Sequence, residues 1–266
     1  MKGSVQCQRV ASLLGFACLV LVPSLVQAAP INYGDFMGDT VRFLDVTEDS
    51  VTDPNTALYG APTVTGNSLD FDPVSFNAFA TGAGGLDLTD GTLSLVIEAK
   101  PGQGILSLVF NEAGDYTLLG FGSDNTLASV RAPFFINILE VDGTPIQPIN
   151  IQAVMEVAPD NGQYRLVEQG GGPLQQGNWT GKLMVDVAQE ITDAGHSFLR
   201  GATKLSVTLD NTLSALSEEG TSAFIAKKDF GGTSITVIGG EIPEPSTVVL
   251  LLAGMLGITA FQRKQR

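Results

Sequence analysis

Four carboxylates are crowded into one short segment, "DVTEDSVTDPN", at Asp45, Glu48, Asp49 and Asp53. Carboxylate oxygens at short spacing on a loop suit Ca²⁺, which accepts about six to eight oxygen ligands in irregular geometry. The spacing is not that of an EF-hand loop. These four residues are therefore the candidate calcium ligands, although a solvated acidic loop is the favoured interpretation of the segment. No other cofactor is indicated.

Side chains that could catalyse a reaction are few. His196, in "DAGHSF", is the only histidine, so a Ser-His-Asp or Cys-His mechanism would depend on it. A histidine that follows a glycine on a turn usually has a solvent-exposed side chain. Both cysteines, Cys7 and Cys18, lie near the N-terminus. Carboxylate pairs for glycoside hydrolysis are numerous, but their spacing selects none. We therefore predict that the protein is not an enzyme, with a glycosidase as the enzymatic alternative.

Trp179 is the single tryptophan, and aromatic rings can stack on the apolar face of a ligand such as a sugar. It stands in an alternating segment, "WTGKLMVDV", where Leu183, Val185 and Val187 share its face and polar residues occupy the other. We predict that Trp179 lies in the core, with carbohydrate stacking as the alternative.

The same alternation recurs between residues 29 and 241, interrupted by turn signals such as "TDGT", "KPGQG" and "VDGTP". Many short strands with few helical patterns are typical of β-sandwiches and jelly rolls. We predict an all-β fold, an antiparallel and jelly-roll-like β-sandwich that forms one body over residues 29–241. Only "NTLSALSEEG" suggests a helical turn. The segment "APDNGQYRLVEQGGGPLQQGN" is predicted to be a long loop of this one body, with a boundary between two lobes as the alternative. The predicted strands include "VRFLDVTE", "TLSLVIEAK", "ILSLVFNE", "FFINILEVDG", "IQAVMEVA", "WTGKLMVDV", "TKLSVTLDN" and "TSITVIGG".

The body is strongly acidic. Between Ala29 and Ile242 the chain carries 9 basic and 27 acidic residues, a net charge of −18. Such a surface repels phosphate backbones, so we predict no nucleic-acid partner.

The first 28 residues have the pattern of a secretory signal peptide. Lys2 and Arg9 give a basic start, an apolar stretch follows, and "VQA" supplies small residues at the exit. Signal peptidase is predicted to act at the site formed by Val26, Ala28 and Ala29. An uncleaved anchor helix is the alternative.

The chain ends in a short apolar run followed by positive charge. Residues at about 246–261 carry no charge and are predicted to form a single transmembrane helix. The apolar run would be about 22 Å long, shorter than a hydrocarbon core of about 30 Å. Arg263, Lys264 and Arg266 would act as the membrane stop on the cytoplasmic side. The precursor is therefore predicted to be tethered transiently to the inner membrane, with its body outside.

The residues before this run, "IPEPS", include Pro243, Glu244, Pro245 and Ser246. Together with the apolar run and the basic tail, they closely resemble a PEP-CTERM sorting signal over residues 242–266. Some catalogues describe this segment as an ice-binding protein C-terminal domain. The resemblance implies processing near the Pro-Glu-Pro motif by an exosortase, a membrane-embedded cysteine protease-transpeptidase. It also implies export in a Gram-negative bacterium to the cell surface or matrix. An ordinary tail anchor is the alternative.

These observations favour a non-enzymatic, exported protein of the cell surface or extracellular matrix, with a structural or adhesive role in exopolysaccharide or biofilm. The alternative is a carbohydrate-binding module, with calcium as its candidate ion. Signal peptidase and exosortase are the expected partners during export, and exopolysaccharide is the expected partner afterwards. Ice binding is not favoured, because the strands show no repeated Thr-x-Thr array.

Overall fold

The structure is a computed structural model that describes residues 29–228 and 232–241. These residues form sixteen β-strands, one α-helix and one short 3-10 helix. Ala29 is exposed, whereas the other predicted signal-peptidase residues and the whole sorting segment, 242–266, lie outside the described residues. In the two described ranges, no helix has the length and apolar character needed to cross a membrane.

The strands form two antiparallel layers, which we call sheet I and sheet II. The strands of sheet I are β1 (Ile31–Met37), β2 (Val41–Asp49), β6 (Gly85–Ala99), β14 (Ala202–Ser217), β9 (Pro133–Val141) and β10 (Thr144–Val154), with β8 (Leu127–Arg131) and β12 (Gln163–Arg165). The long strand β14 pairs with β6 on one side. On its other side it pairs with β9 over its first half and with β8 over its second half.

The strands of sheet II are β3 (Thr63–Thr65), β4 (Ser68–Phe71), β16 (Thr233–Glu241), β7 (Gln103–Leu119), β13 (Leu174–Asp186) and β11 (Glu156–Ala158), with β15 (Ser222–Lys227) and β5 (Asn77–Thr81). The central strand β7 pairs with β13 along one side. Along its other side it pairs first with β16 and then with β15.

The two layers face each other across one hydrophobic core. Inward side chains alternate along each strand, as in β14, where Leu205, Val207 and Leu209 are buried. One backbone pair, Ala202 with Ile105, joins β14 to β7, so hydrogen bonding continues from one sheet into the other. The all-β, antiparallel, sandwich-like and jelly-roll-like prediction is confirmed by this arrangement.

The segment "NTLSALSEEG" is not helical, which corrects one prediction. Its residues 211–217 form the second half of β14, where Leu213 and Ala215 are buried and Ser214 between them is not. This alternation is the period of two that is typical of a strand. The pairing of β14 with β6 continues as far as Ser217.

The one α-helix of the described residues, α1 (Val187–Asp193), was not predicted from the sequence. Asp186 ends β13 and caps α1, because its carboxylate accepts the backbone N–H of Gln189 at 2.9 Å. Val187 and Ile191 are the buried residues of the helix, which docks it onto the core.

The segment predicted to be one long loop is partly ordered into regular elements. It contains the 3-10 helix (Asp160–Gly162), β12 and the first residues of β13. Tyr164 anchors it, since its ring is buried and stacks on Tyr116 with centroids 3.9 Å apart.

Candidate functional site

Glu48, a candidate calcium ligand, is buried, and its carboxylate accepts hydrogen bonds from other groups of the chain. Its carboxylate accepts the backbone N–H groups of Leu58, Tyr59 (3.0 Å) and Gly60 (3.3 Å). The Tyr33 hydroxyl donates at 2.7 Å to Oε2, the oxygen that also accepts the Gly60 N–H. Burial and this bond raise the pKa of Tyr33 well above its usual value. Glu48 therefore fixes the loop that runs from β2 to β3.

The other three acidic residues of that segment do not converge on Glu48. Asp49 accepts the N–H of the next residue at 3.0 Å, and Asp53 accepts the Thr52 hydroxyl at 2.8 Å. Asp45 lies exposed at an irregularity of β2, with a positive φ of 51°. Among the described residues, no three His, Cys, Asp or Glu side chains are grouped so that they could hold a metal ion. Calcium binding stays a prediction, for which calorimetric titration with Ca²⁺ is the test.

Asp90 holds the same loop from sheet I, a role that was not predicted from the sequence. Its carboxylate accepts the N–H of Thr52 at 2.7 Å, and its own N–H donates to the Thr52 hydroxyl at 2.8 Å. Burial alone would raise the pKa of Asp90, but the hydrogen bonds from Thr52 and Val51 outweigh it and lower the pKa. The loop is thus held by carboxylates on both sides.

Trp179 is fully buried, which confirms its core assignment and removes it as a platform for a sugar. Its ring lies over Gly114, the residue opposite it on β7. A Cβ added to Gly114 would lie 2.4 Å from the indole, so only glycine leaves room for the ring. His196 is exposed on the turn after α1, as predicted.

The outer surface of sheet II carries a continuous set of polar side chains. Residues opposite each other in an antiparallel pair project from the same face. Asn178 therefore lies beside Asp115, which lies across from Ala226 and, beyond it, Asn77. We call this surface the polar face; it consists of Asn77, Phe79, Asn111, Asp115, Thr117, Glu156, Ala158, Gln176, Asn178, Thr180, Lys182, Phe224 and Ala226.

Three depressions lie side by side on the polar face. The largest, of about 600 Å³, is lined by Asn111, Thr180 and Lys182, with Glu156 at the edge strand β11. At adjoining strand positions, Asp115, Thr117, Gln176 and Asn178 line the next, of about 290 Å³. The third, of about 350 Å³, is lined by Asn77, Phe224, Ala226 and Lys228, beside the loop that contains Val74.

The depressions cross five strands in the order β5, β15, β7, β13 and β11. At about 4.8 Å between neighbouring strands, they extend over about 19 Å. The polar face is therefore suited to an extended ligand rather than a small compact one.

The polar face has hydrogen-bonding groups that the chain itself leaves open. Within the described residues, the side chains of Gln176, Asn178 and Thr180 have no hydrogen-bond partner, and Lys182 has no carboxylate within 4.0 Å. The charge of Asp115 is compensated, because Lys228 Nζ lies 3.6 Å from its carboxylate. Amides offer both donors and acceptors to a ligand.

The outer face of sheet I is different, because its polar groups are largely paired with one another. The hydroxyls of Ser129 and Ser214 lie 2.6 Å apart, and Asn137 donates to Ser206 at 3.2 Å. A ligand would have to displace these bonds. Sheet II therefore offers the more accessible polar surface of the two.

The polar face also carries exposed aromatic surface at one end. Phe79 on the edge strand β5 is 52% exposed, and Phe224 lies opposite it on β15. Neither residue was identified from the sequence. The outward position of Thr180 and Lys182 could be read from the alternation of "WTGKLMVDV", whereas Gln176 and Asn178 fell in the segment predicted to be a loop.

The chain matches no protein-family model and no curated protein. Similar solved structures include a Xyl-CBM35 in complex with a glucuronic acid containing disaccharide, with 13% identity over 79% of this chain and 98% of that one and a TM-score of 0.16. Another is the family 11 xylanase from Neocallimastix patriciarum, with 9% identity over 80% and 100% of the chains and a TM-score of 0.19.

A third is the enzymatically active domain of tailspike protein 4 from bacteriophage CBA120, with 12% identity and a TM-score of 0.15. This match covers 77% of the present chain but 19% of the tailspike chain. Because all three TM-scores are low, the similarities carry no argument about fold or function, which rest on the geometry described above.

Proposed function

We propose that the body of this protein binds polysaccharide through the polar face of sheet II and acts, without catalysis, at the cell surface or in the extracellular matrix. The observation that carries the proposal is the row of three adjoining depressions, in which the side chains of Gln176, Asn178 and Thr180 have no hydrogen-bond partner among the described residues. Sugars present many hydroxyl groups, each a donor and an acceptor, and such side chains complement them.

The composition of the polar face also supports a polymer as the ligand. The depressions are open and follow one another across five strands, so several sugar units could be bound in succession. Phe79 and Phe224 supply an apolar platform at one end. Lys182 adds positive charge near the other end of an otherwise acidic body, which suits acidic sugars.

Replacing Phe79 with alanine is expected to weaken polysaccharide binding by about tenfold, because an aromatic contact of about 1 kcal/mol and its buried area are lost. Binding can be measured by affinity electrophoresis in gels that contain a neutral or an acidic polysaccharide. Phe135→Ala is the matched control, since Phe135 is 41% exposed on the outer face of sheet I. Equal weakening by both substitutions would show that the polar face is not the site.

We propose the export route separately, on the sequence alone. The supporting feature is the order of Pro243-Glu244-Pro245, an apolar run and a basic tail, which resembles the PEP-CTERM signal. Signal peptidase and exosortase would then process the two ends, and the inner membrane would hold the precursor only transiently.

Mass spectrometry of the native protein tests this route. The mature chain is expected to begin at Ala29 or Pro30 and to end near Pro243, without the Arg263–Arg266 tail. Native protein that retains Arg266, from cells that possess an exosortase, would contradict the route without affecting the carbohydrate proposal.

A further inference from the structure

Three polar side chains meet in the core between the two sheets. Glu112 projects inward from β7, Asn211 from β14, and Lys227 from the end of β15. The side chains of Lys227 and Glu112 are 0% and 1% exposed, and Asn211 is also buried. Neither the calcium prediction nor the polar face uses them.

The three groups converge on one carboxylate oxygen. Glu112 Oε1 lies 2.5 Å from Lys227 Nζ and 2.6 Å from Asn211 Nδ2. Because both nitrogens contact the same atom, they are no more than about 5.1 Å apart. An amine, an amide and a carboxylate are thus already close together.

The cluster is incompletely satisfied as a set of hydrogen bonds. Glu112 Oε2 and Asn211 Oδ1 have no partner among the described residues, and Lys227 Nζ has no acceptor in good alignment. Buried polar groups in native proteins are almost always paired, so such a group of atoms calls for an explanation.

Burial shifts the Lys227 amine towards its neutral form. The rings of Tyr59 and Phe76 lie 4.9 Å and 5.0 Å from Lys227 Nζ, and all three side chains are buried. Burial lowers the pKa of Lys227, although the neighbouring Glu112 acts in the opposite direction. A lysine becomes a nucleophile when it is desolvated in this way.

We infer that Lys227 and Asn211 form an intramolecular isopeptide bond, with Glu112 as the proton shuttle. The Lys227 amine attacks Cγ of Asn211 and forms the new N–C bond. Glu112 takes the proton from the attacking nitrogen and delivers it to Nδ2, and the Cγ–Nδ2 bond then breaks. Lysine and asparagine are replaced by one amide and one molecule of ammonia, so no oxidant or co-reactant is needed.

Such a bond would tie sheet I to sheet II through the core, because Asn211 belongs to β14 and Lys227 to β15. Both cysteines of the chain lie in residues 1–28, so no disulfide can join strands of the described body. The isopeptide bond would supply the covalent link that disulfides give to other exported proteins.

Mass spectrometry of the purified, folded protein is the test. We expect a mass about 17 Da below that of the unmodified chain, the mass of one ammonia, and a digest in which the Asn211 and Lys227 peptides are joined. The conservative variant Glu112→Gln keeps the shape of the side chain but is expected to remain at the unmodified mass.

A second variant separates this reaction from cyclisation of an asparagine, such as Asn161 before Gly162, which also releases ammonia. Lys227→Arg is expected to abolish the mass loss. Folded wild-type protein at the full mass, or a loss that persists in Lys227→Arg, would overturn the inference. The wild-type measurement alone decides the matter if the variants do not fold.

Discussion

A Lys227→Met variant is expected to lose at least about 3 kcal/mol of unfolding free energy, because removing one partner of a buried ion pair leaves the other uncompensated. Lys227 Nζ lies 2.5 Å from Glu112 Oε1, and both side chains are shielded from water. In protein that carries the isopeptide bond, Lys227 is an uncharged amide, and Lys227→Met removes that covalent link in place of the ion pair. Urea-induced unfolding, followed by tryptophan fluorescence of the buried Trp179, measures the change.

The adjacent lysine provides a matched control. Lys228 is 42% exposed and lies 3.6 Å from Asp115, so its ion pair is on the surface. Such pairs contribute about 0–1 kcal/mol, and Lys228→Met is expected to change stability by no more than that. Similar losses for the two variants would contradict a special role for the buried pair.

Replacing Glu48 with alanine is expected to lower the unfolding free energy by about 3 kcal/mol. Its carboxylate serves three backbone N–H groups and the Tyr33 hydroxyl, and each buried group left unsatisfied costs about 1–3 kcal/mol unless water replaces the bond. Thermal unfolding monitored by circular dichroism detects the effect as a lower Tm.

Asp53→Ala is the control within the same loop. Asp53 accepts one hydroxyl bond, from its neighbour Thr52, and that hydroxyl can turn to water. We expect Asp53→Ala to change the unfolding free energy by less than about 1 kcal/mol. If Asp53→Ala were as destabilising as Glu48→Ala, the loop would depend on its total charge rather than on the Glu48 carboxylate.

Much of the fold was readable from the sequence, because a strand that is buried on one face must alternate. The alternation of "WTGKLMVDV" correctly placed Trp179 inside and Thr180 and Lys182 outside. Alternation does not identify a strand where the local pattern fits a helix equally well. The small and polar residues around Leu213 and Ala215 resembled a helical turn, and only pairing with β6 makes them a strand.

The sites were less predictable, because they depend on contacts between distant parts of the chain. The segment around Glu48 suggested a metal site, but the partners of Glu48 are backbone N–H groups about ten residues further along. The polar face combines five strands that are far apart in sequence.

One signal for the buried cluster was present but was not used. Glu112 occupies an inward position of "ILSLVFNE", two residues after Phe110, and Lys227 follows Ala223 and Ile225 at the same spacing in "SAFIAK". A charged residue at an inward position of an alternating strand marks a buried polar contact. The third member, Asn211, could be found only from the fold.

An NMR titration of the protein with polysaccharide tests the central proposal most directly, because side-chain amides report on each face separately. The signals of Asn111 and Asn178 on the polar face are expected to shift and to saturate together. The signal of Asn137, on the outer face of sheet I, is expected to stay unchanged. A shift of Asn137 alone, or no shift at any residue with neutral and acidic polysaccharides, would contradict recognition of carbohydrate by sheet II.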